Sequence, residues 1–369
     1  MSDSETRLPG DSDIRLRLGL IEGDGIGPEI VRATRAVVDD AVEVVGLPPI
    51  EWVPLLIGHA AIEEFGDPMP EPTLRALEGL DAWIMGPHDN ASYPADHRTG
   101  LPPGGAIRKR FGLYGNIRPA RTLDGVRATT PDMDLVIVRE NSEGLYADRN
   151  MFAGSGEFQP TADVALSVGV VTRAATERIA HLAFGIAQTR SRRLTIVHKA
   201  NVLPMTMGMF RDVCYEVAAA YPDVAVNDEH ADAVAALLVR TPADFDVIVT
   251  ENLFGDILSD LAGELSGSLG MAPSLNCSQH QAMAQAVHGA APRLAGHNRA
   301  NPVALLASSA MLLHWLAERD SYSALRRVAE RIEHAVAETL RSGVATSDLG
   351  GLASTTEFTE QVRARLHRW

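Results

Sequence analysis

The sequence predicts an α/β protein whose mostly parallel sheet is covered by helices. Three observations predict it. Short runs rich in β-branched residues alternate with longer stretches of helical period, the order that a helix-covered parallel sheet requires. The length of 369 residues suits two domains, or one large domain with an appendage. Hydrophobic residues at 46% and charged residues at 22% supply a sizeable core, which rules out a mainly disordered chain, a collagenous repeat or a disulfide scaffold.

The elements follow in order. A strand is expected over 14–21, and the turn GDGIG behind it opens a helix, where Pro28 fits the first turn because its missing N–H has no partner there. Ile30, Val31, Thr34, Val38 and Val42 line one face of that helix. Further strands are expected over 52–57, 82–85, 135–138, 194–197 and 247–250. Helices are expected over 172–190, 205–221, 256–261, 302–317 and 324–341. The segment 151–159, MFAGSGEFQ, is weakly patterned, and Val164, Leu166, Val168 and Val170 alternate behind it as a strand does. That stretch reads as an arm between subunits or as an ordinary surface hairpin.

Charge narrows the function. Lysine and arginine total 33 against 48 acids, a net charge of −15, which disfavours a general nucleic-acid or membrane-surface binder. A local basic pocket for a small acid remains compatible with it. Cys214 and Cys277, the only cysteines, stand too far apart in sequence for a metal-ligand cluster and suit a reducing cytosol. Residues 1–13 are polar and acidic and read as a loose tail rather than a targeting signal. No run of eighteen apolar residues marks a transmembrane helix, so a cytoplasmic protein is expected.

Three constellations carry chemistry. Asp256 and Asp260, in NLFGDILSD, are four apart and share a helix face. Oxygen ligands at that spacing suit Mg²⁺ or Mn²⁺; the other reading is a solvated face whose acids favour the helix N-terminus. Arg108, Arg118 and Arg139 fall near strand or loop ends, where guanidinium groups converging on a cleft would bind a di- or tricarboxylic acid. Standing alone they read as surface charge. GDGIGPE follows a strand and opens a helix, but its glycines alternate, so the G-x-G-x-x-G dinucleotide pattern fails. HGAAPRLAGHNRANP is a second loop of small residues, with His288 and Asn301, able to wrap a nucleotide.

Together these segments resemble the β-decarboxylating dehydrogenases, the superfamily of isocitrate, 3-isopropylmalate, homoisocitrate and tartrate dehydrogenases. GDGIGPEI, RKRFGLYGNIRPAR, IVRENSEGLY, VHKAN, FDVIVTENLFGDILSD, GSLGMAPS, VHGAAPRLAG, ANP and SDLGG occur in the family's order over nearly the whole chain. The resemblance implies a two-domain, non-Rossmann α/β fold with one domain discontinuous in sequence. Residues 1–113 and 267–369 would form a large cofactor-binding domain, and 114–266 a small dimerisation, substrate and metal domain. It implies that Arg108, Arg118 and Arg139 hold the malate part of a substrate, with Asn201 touching substrate or nicotinamide. Tyr146 would protonate the enol product, and Lys199, reaching in from a partner subunit, would assist proton removal from the C2 hydroxyl. Asp256 and Asp260 would bind Mg²⁺ or Mn²⁺ with Asp232 donated across a homodimer. The cofactor would lie along Ile26, His288, Gly289, Ala291, Arg293, Leu294 and Asn301.

Departures from the family bear on specificity. Neither the isocitrate nor the isopropylmalate signature precedes Arg108; Gly104 and Gly105 stand there instead. Loss of two side chains is expected to widen the pocket for an unusual C3 substituent, a phosphonate being conceivable, unless PPGG only reshapes a surface loop. Arg293 replaces the aspartate that NAD-using members set against the adenosine ribose, which favours NADP, although Leu294 and SDLGG resemble the NAD type. Gln285 stands where the family commonly has glutamate. The expected activity is NAD(P)-dependent oxidative decarboxylation of a 3-substituted malate. The alternative, a non-catalytic regulatory subunit, fits poorly with retention of the metal aspartates, the tyrosine and the lysine.

Overall fold

The computed structural model describes residues 15–98, 100–130, 132–146, 151 and 154–367. The expected tail, residue 14 of the first strand, and Phe152 and Ala153 of the weakly patterned segment lie outside the described residues. The main-sheet strands are β1 (Arg17–Ile21), β2 (Glu51–Leu55), β3 (Ala82–Met85), β4 (Gly115–Arg121) and β5 (Asp134–Glu140), and beyond a separate hairpin of β6 (Glu157–Thr161) and β7 (Val164–Ser167), β8 (Arg193–His198), β9 (Ala225–His230), β10 (Val247–Thr250), β11 (Leu275–Cys277) and β12 (Ala282–Gln285). The helices are α1 (Gly27–Val45), α2 (Gly58–Phe65), α3 (Glu71–Glu78), α4 (Pro103–Arg110), α5 (Arg173–Gln188), α6 (Thr206–Ala218), α7 (Ala231–Arg240), α8 (Asn252–Leu265), α9 (Val303–Asp320), α10 (Ser323–Arg341) and α11 (Thr355–Leu366).

Among the described residues the sheet runs β2-β1-β3-β12-β11-β4-β5-β10-β8-β9. Two parallel blocks, β2-β1-β3-β12 and β5-β10-β8-β9, are joined by β11 and β4, whose pairings are all antiparallel. The sequence pattern did not reveal this antiparallel centre, because β4 and β11 carry polar residues inward and their burial is satisfied by hydrogen bonds instead of apolar contact. Helices cover both faces of each block, as alternating inward side chains require. Val136 and Val138 of β5 pack with α5 and α6, while Leu135 and Ile137 pack with α7 and α8. In the other block Leu18, Leu20 and Ile84 meet α1, α9, α10 and α11, and Ile21, Trp83 and Met85 meet α3 and α4. Among the described residues no core cluster draws its buried members from both 114–266 and the flanking segments.

The observed α1 starts at Gly27 with Pro28 in its first turn and buries Ile30, Val31, Thr34, Val38 and Val42, as the spacing requires. The helix expected over 256–261 is longer, beginning at Asn252 behind Glu251, whose carboxylate accepts from the N–H groups of Leu253 and Phe254. GDGIG forms a tight junction: Asp24 N–H donates to Pro87 O at 2.8 Å and Ile26 N–H to Ala290 O at 2.9 Å. Gly25, at φ +60°, leaves no room for a Cβ, which would lie 2.0 Å from Ala290 O. Among the described residues no helix is long and apolar enough to cross a membrane.

Candidate active site

Register places the charged floor. Asn276 of β11, Asn116 of β4 and Arg139 of β5 stand directly opposite one another, so their side chains share a face, with Arg118 two residues along β4 on that same face. Arg108 enters from the last turn of α4, and α8 lays Asp256 and Asp260 over the arginines. Gly255 permits this approach, since a Cβ there would meet Arg139 Cγ at 2.5 Å. The result is a cavity of about 230 Å³ walled by Arg108, Arg118, Arg139, Tyr146, Asp256, His88, Ser274, Gln285, His288 and Gly289, among others.

Charge in this cavity is concentrated. Arg139 pairs with Asp256, and Arg118 Nη1 lies 3.2 Å from Asp256 Oδ1 and 3.4 Å from Asp260 Oδ1. Burial, then the neighbouring Arg139, pulls the Arg118 guanidinium down to about 10 despite both aspartates. Burial pushes Asp256 upward, but Arg139, Arg118 and Arg108 together hold it below the usual carboxylate range. In Asp260 burial prevails over the attraction of Arg118, with Asp256 repelling it as well, and the net shift is upward. Tyr146 O–H donates to Asp256 Oδ2 at 3.4 Å, and the Arg139 guanidinium lies 5.6 Å from the tyrosine ring centroid.

Arg108, Arg118, Arg139, Tyr146, Asp256 and Asp260 are thus brought together, whereas Lys199, Asn201 and Asp232 are not part of this group. Lys199, directly after β8, pairs with Asp232 in the first turn of α7, and the lysine ammonium holds that carboxyl below its usual range. Asn201 is exposed. Among the described residues of one chain, no group of three His, Cys, Asp or Glu side chains is placed to hold a metal. Asp256 and Asp260 therefore fit half of a hard-cation site: two oxygen donors one helical turn apart, one of them raised and relieved by added positive charge.

Gly104 and Gly105 are expected either to widen the pocket or only to reshape a surface loop. The space over Gly104 is not an enlarged pocket, because a Cβ at 104 would lie 3.0 Å from His88 Nε2, so the imidazole occupies it. Gly105 does not face the cavity; its Cβ would meet Pro102 and Leu101. His88 was not among the expected residues, its only signal being its place three residues beyond the buried strand β3. Burial, then the charge of Arg108, lowers its imidazole to about 4, which leaves it neutral, and Nδ1 is buried without a hydrogen-bond partner.

A second cavity, about 350 Å³, shares His288 and Gly289 with the first and is lined by Ile26, Ala291, Leu294, Arg299, Asn301 and Asp348. His288 Nδ1 meets its neighbour Gly289 O at 3.0 Å, while Nε2 is buried without a partner. Asn301 donates to Asp348 Oδ2 at 2.9 Å, and Ser268 donates to the same oxygen at 2.7 Å. Arg293 does not line this cavity and is exposed; Arg299, which the sequence reading missed, does line it. The cavity of about 330 Å³ near Leu123, Met271, Met311 and Val336, which Arg121, Asp134, Arg190 and Glu333 also line, holds none of the expected site residues.

Comparison with known proteins gives one result throughout. A sequence model described as isocitrate/isopropylmalate dehydrogenase matches residues 17–362. The chain is 44% identical over 352 residues to an isocitrate/homoisocitrate dehydrogenase of Thermus thermophilus, covering 94% of this chain and 97% of that one. It is 38% identical over 351 residues to a 3-isopropylmalate dehydrogenase of Archaeoglobus fulgidus, covering 95% and 99%. A 3-isopropylmalate/3-methylmalate dehydrogenase of Methanocaldococcus jannaschii is 37% identical over 355 residues, covering 95% and 98%. The crystal structure of isocitrate dehydrogenase from Methylococcus capsulatus superposes with a TM-score of 0.83 at 36% identity, covering 95% of this chain and 99% of that one.

Proposed function

Because the chain belongs to the isocitrate/isopropylmalate dehydrogenase family and is a decarboxylating dehydrogenase, we propose that it oxidatively decarboxylates a malate bearing a small, polar, uncharged group at C3. The observation that carries this reading is the convergence of three arginines, Asp256 and Tyr146 on one cavity, with Asp260 paired to Arg118 beside it. Guanidinium groups suit the two carboxylates of malate. The wall formed by His88 and Gln285 adds neither a further cation nor an apolar pair. A phosphonate at C3 would need a cationic partner that the neutral His88 and the amide of Gln285 do not offer.

Asp256 and Asp260 would hold Mg²⁺ or Mn²⁺ together with Asp232 of a second copy. When bound, that metal supplies a Lewis acid for the C2 oxygen, and the nicotinamide nucleotide supplies the hydride acceptor. Arg108, Arg118 and Arg139 fix the carboxylates, so that the substrate is held in one orientation. Lys199, entering from the second copy with Asn201 beside it, takes the C2 hydroxyl proton. Tyr146 holds a proton for C3 of the product enol.

A homodimer with shared sites and a small domain over 114–266 belong to the same proposal. Support comes from the exposed apolar run beside Lys199, with Val202 63% and Met205 85% exposed, and from the β6–β7 hairpin, all of whose residues are exposed. A lone two-stranded hairpin needs a covering partner for stability. NADP is accepted, because Arg299 on the cavity wall and Arg293 next to Leu294 offer cations to a 2′-phosphate. The two buried, unpaired thiols accord with a cytoplasmic location.

The test is a panel of malate, tartrate, 3-methylmalate, isopropylmalate and isocitrate, each with Mn²⁺ and either nucleotide. The expected result is the highest kcat/KM for the compact polar substrates. Inactivity of folded protein on all of them overturns the assignment.

A further inference from the structure

We propose that Asn276, Asn116 and Asn252 are positioning residues that hold the Nε of each of the three cavity arginines by a neutral acceptor, adding no carboxylate to the Asp256 and Asp260 that already face Arg118 and Arg139, so that guanidinium charge is left for the carboxylates of the ligand. The inference rests on the reading above, in which these arginines bind a dicarboxylate. In each arginine the inner Nε–H is committed to an asparagine carboxamide. Arg108 Nε donates to Asn276 Oδ1 at 3.0 Å, Arg118 Nε to Asn116 Oδ1 at 3.2 Å, and Arg139 Nε to Asn252 Oδ1 at 2.9 Å. All three asparagines are fully buried.

The amides are also joined to one another and to the loop that carries Tyr146. Asn116 Nδ2 donates to Asn276 Oδ1 at 3.0 Å. That oxygen thus collects several donors, while Asn276 Nδ2 is left buried without a partner. An N–H is orphaned and the oxygen crowded, the orientation imposed by Arg108 Nε, which can only donate. Asn252 uses its other end, donating from Nδ2 to Glu143 O at 2.9 Å, three residues before Tyr146. A carboxylate at any of the three positions would have the same shape and accept the same bonds. It would also pair with the arginine and cancel the charge that a ligand carboxylate needs, in a site where attraction is little screened.

The probe is malate, titrated calorimetrically with Mg²⁺ present and nucleotide absent, into the wild type and the variants Asn276→Asp, Asn252→Asp and Asn276→Ser. The isosteric acids are expected to raise Kd at least about tenfold, the equivalent of about 1.4 kcal/mol. Asn276→Ser, which removes more contacts but adds no charge, is expected to weaken binding less than Asn276→Asp. A purely structural role gives the opposite order, and that order overturns the proposal, as does a Kd unchanged in the acidic variants. Failure of both acidic variants to fold also overturns it, since neutrality would then serve the fold and not the ligand. A wild type that does not bind malate removes the premise, and this outcome, unlike the others, strikes the functional reading itself.

Discussion

Gly104 and the His88 imidazole are packed against each other: a Cβ at 104 would stand 3.0 Å from Nε2, close enough that the ring would have to shift by a few tenths of an ångström. The glycine is therefore what allows a neutral, polar ring to form this end of the cavity. Gly104→Val is expected to displace the ring and lower kcat/KM for polar C3 substituents by about tenfold or more. His88→Leu should move preference towards isopropylmalate. An unchanged ratio of kcat/KM for tartrate and isopropylmalate in His88→Leu would sink the idea.

Asp256 is the carboxylate that both Arg118 and Arg139 contact. Asp256→Asn is expected to weaken Mn²⁺ binding by about a hundredfold, since altered outer-shell partners alone cost about 10–100-fold. Titration of Mn²⁺ by electron paramagnetic resonance reads this directly. Retention of wild-type affinity would show that the ion binds elsewhere.

Lys199 and Tyr146 lie in separate groups within one chain, so the proposed site needs two chains. Tyr146→Phe and Lys199→Ala are each expected to be nearly inactive. Co-expressed, they should recover about a quarter of wild-type activity, from mixed dimers with one intact site each. Absence of recovery, with mixed dimers verified by mass spectrometry, would rule out sharing.

Arg299 lines the cavity proposed for the nucleotide and Arg293 does not. Arg299→Ala is therefore expected to raise KM for NADP about tenfold, an effect near 1.4 kcal/mol, while changing KM for NAD little. Arg293→Ala should do less. Equal losses with both nucleotides would assign Arg299 to the shared part of the cofactor.

Burial raises the Glu143 carboxyl to about 7, although Thr172 donates to it from its N–H at 2.7 Å and its hydroxyl at 2.9 Å. A folded value above the unfolded one, about 4.3, means that the contribution to stability is fully present below the unfolded value and is lost as pH rises towards 7. Thermal unfolding between pH 4.5 and 7.5 is expected to show a smaller decline in Glu143→Gln than in the wild type. Parallel curves would show that Glu143 does not titrate in that window.

The sequence alone determined the alternation of strands and helices, the buried face of α1, and the residue types of the site, because hydrophobic period and motif spacing are local properties. The family resemblance supplied the roles. Tertiary structure alone decided that β4 and β11 cross the sheet antiparallel, and that Asn276, Asn116 and Arg139 form one polar row. It also decided that His88 fills the space over Gly104, that Gly105 turns away, and that Arg299 rather than Arg293 lines the cavity beside His288. Each of these depends on register or on contact between residues far apart in the chain. A polar side chain in a strand reads as a break in the pattern until the partner that satisfies its buried hydrogen bonds is in place.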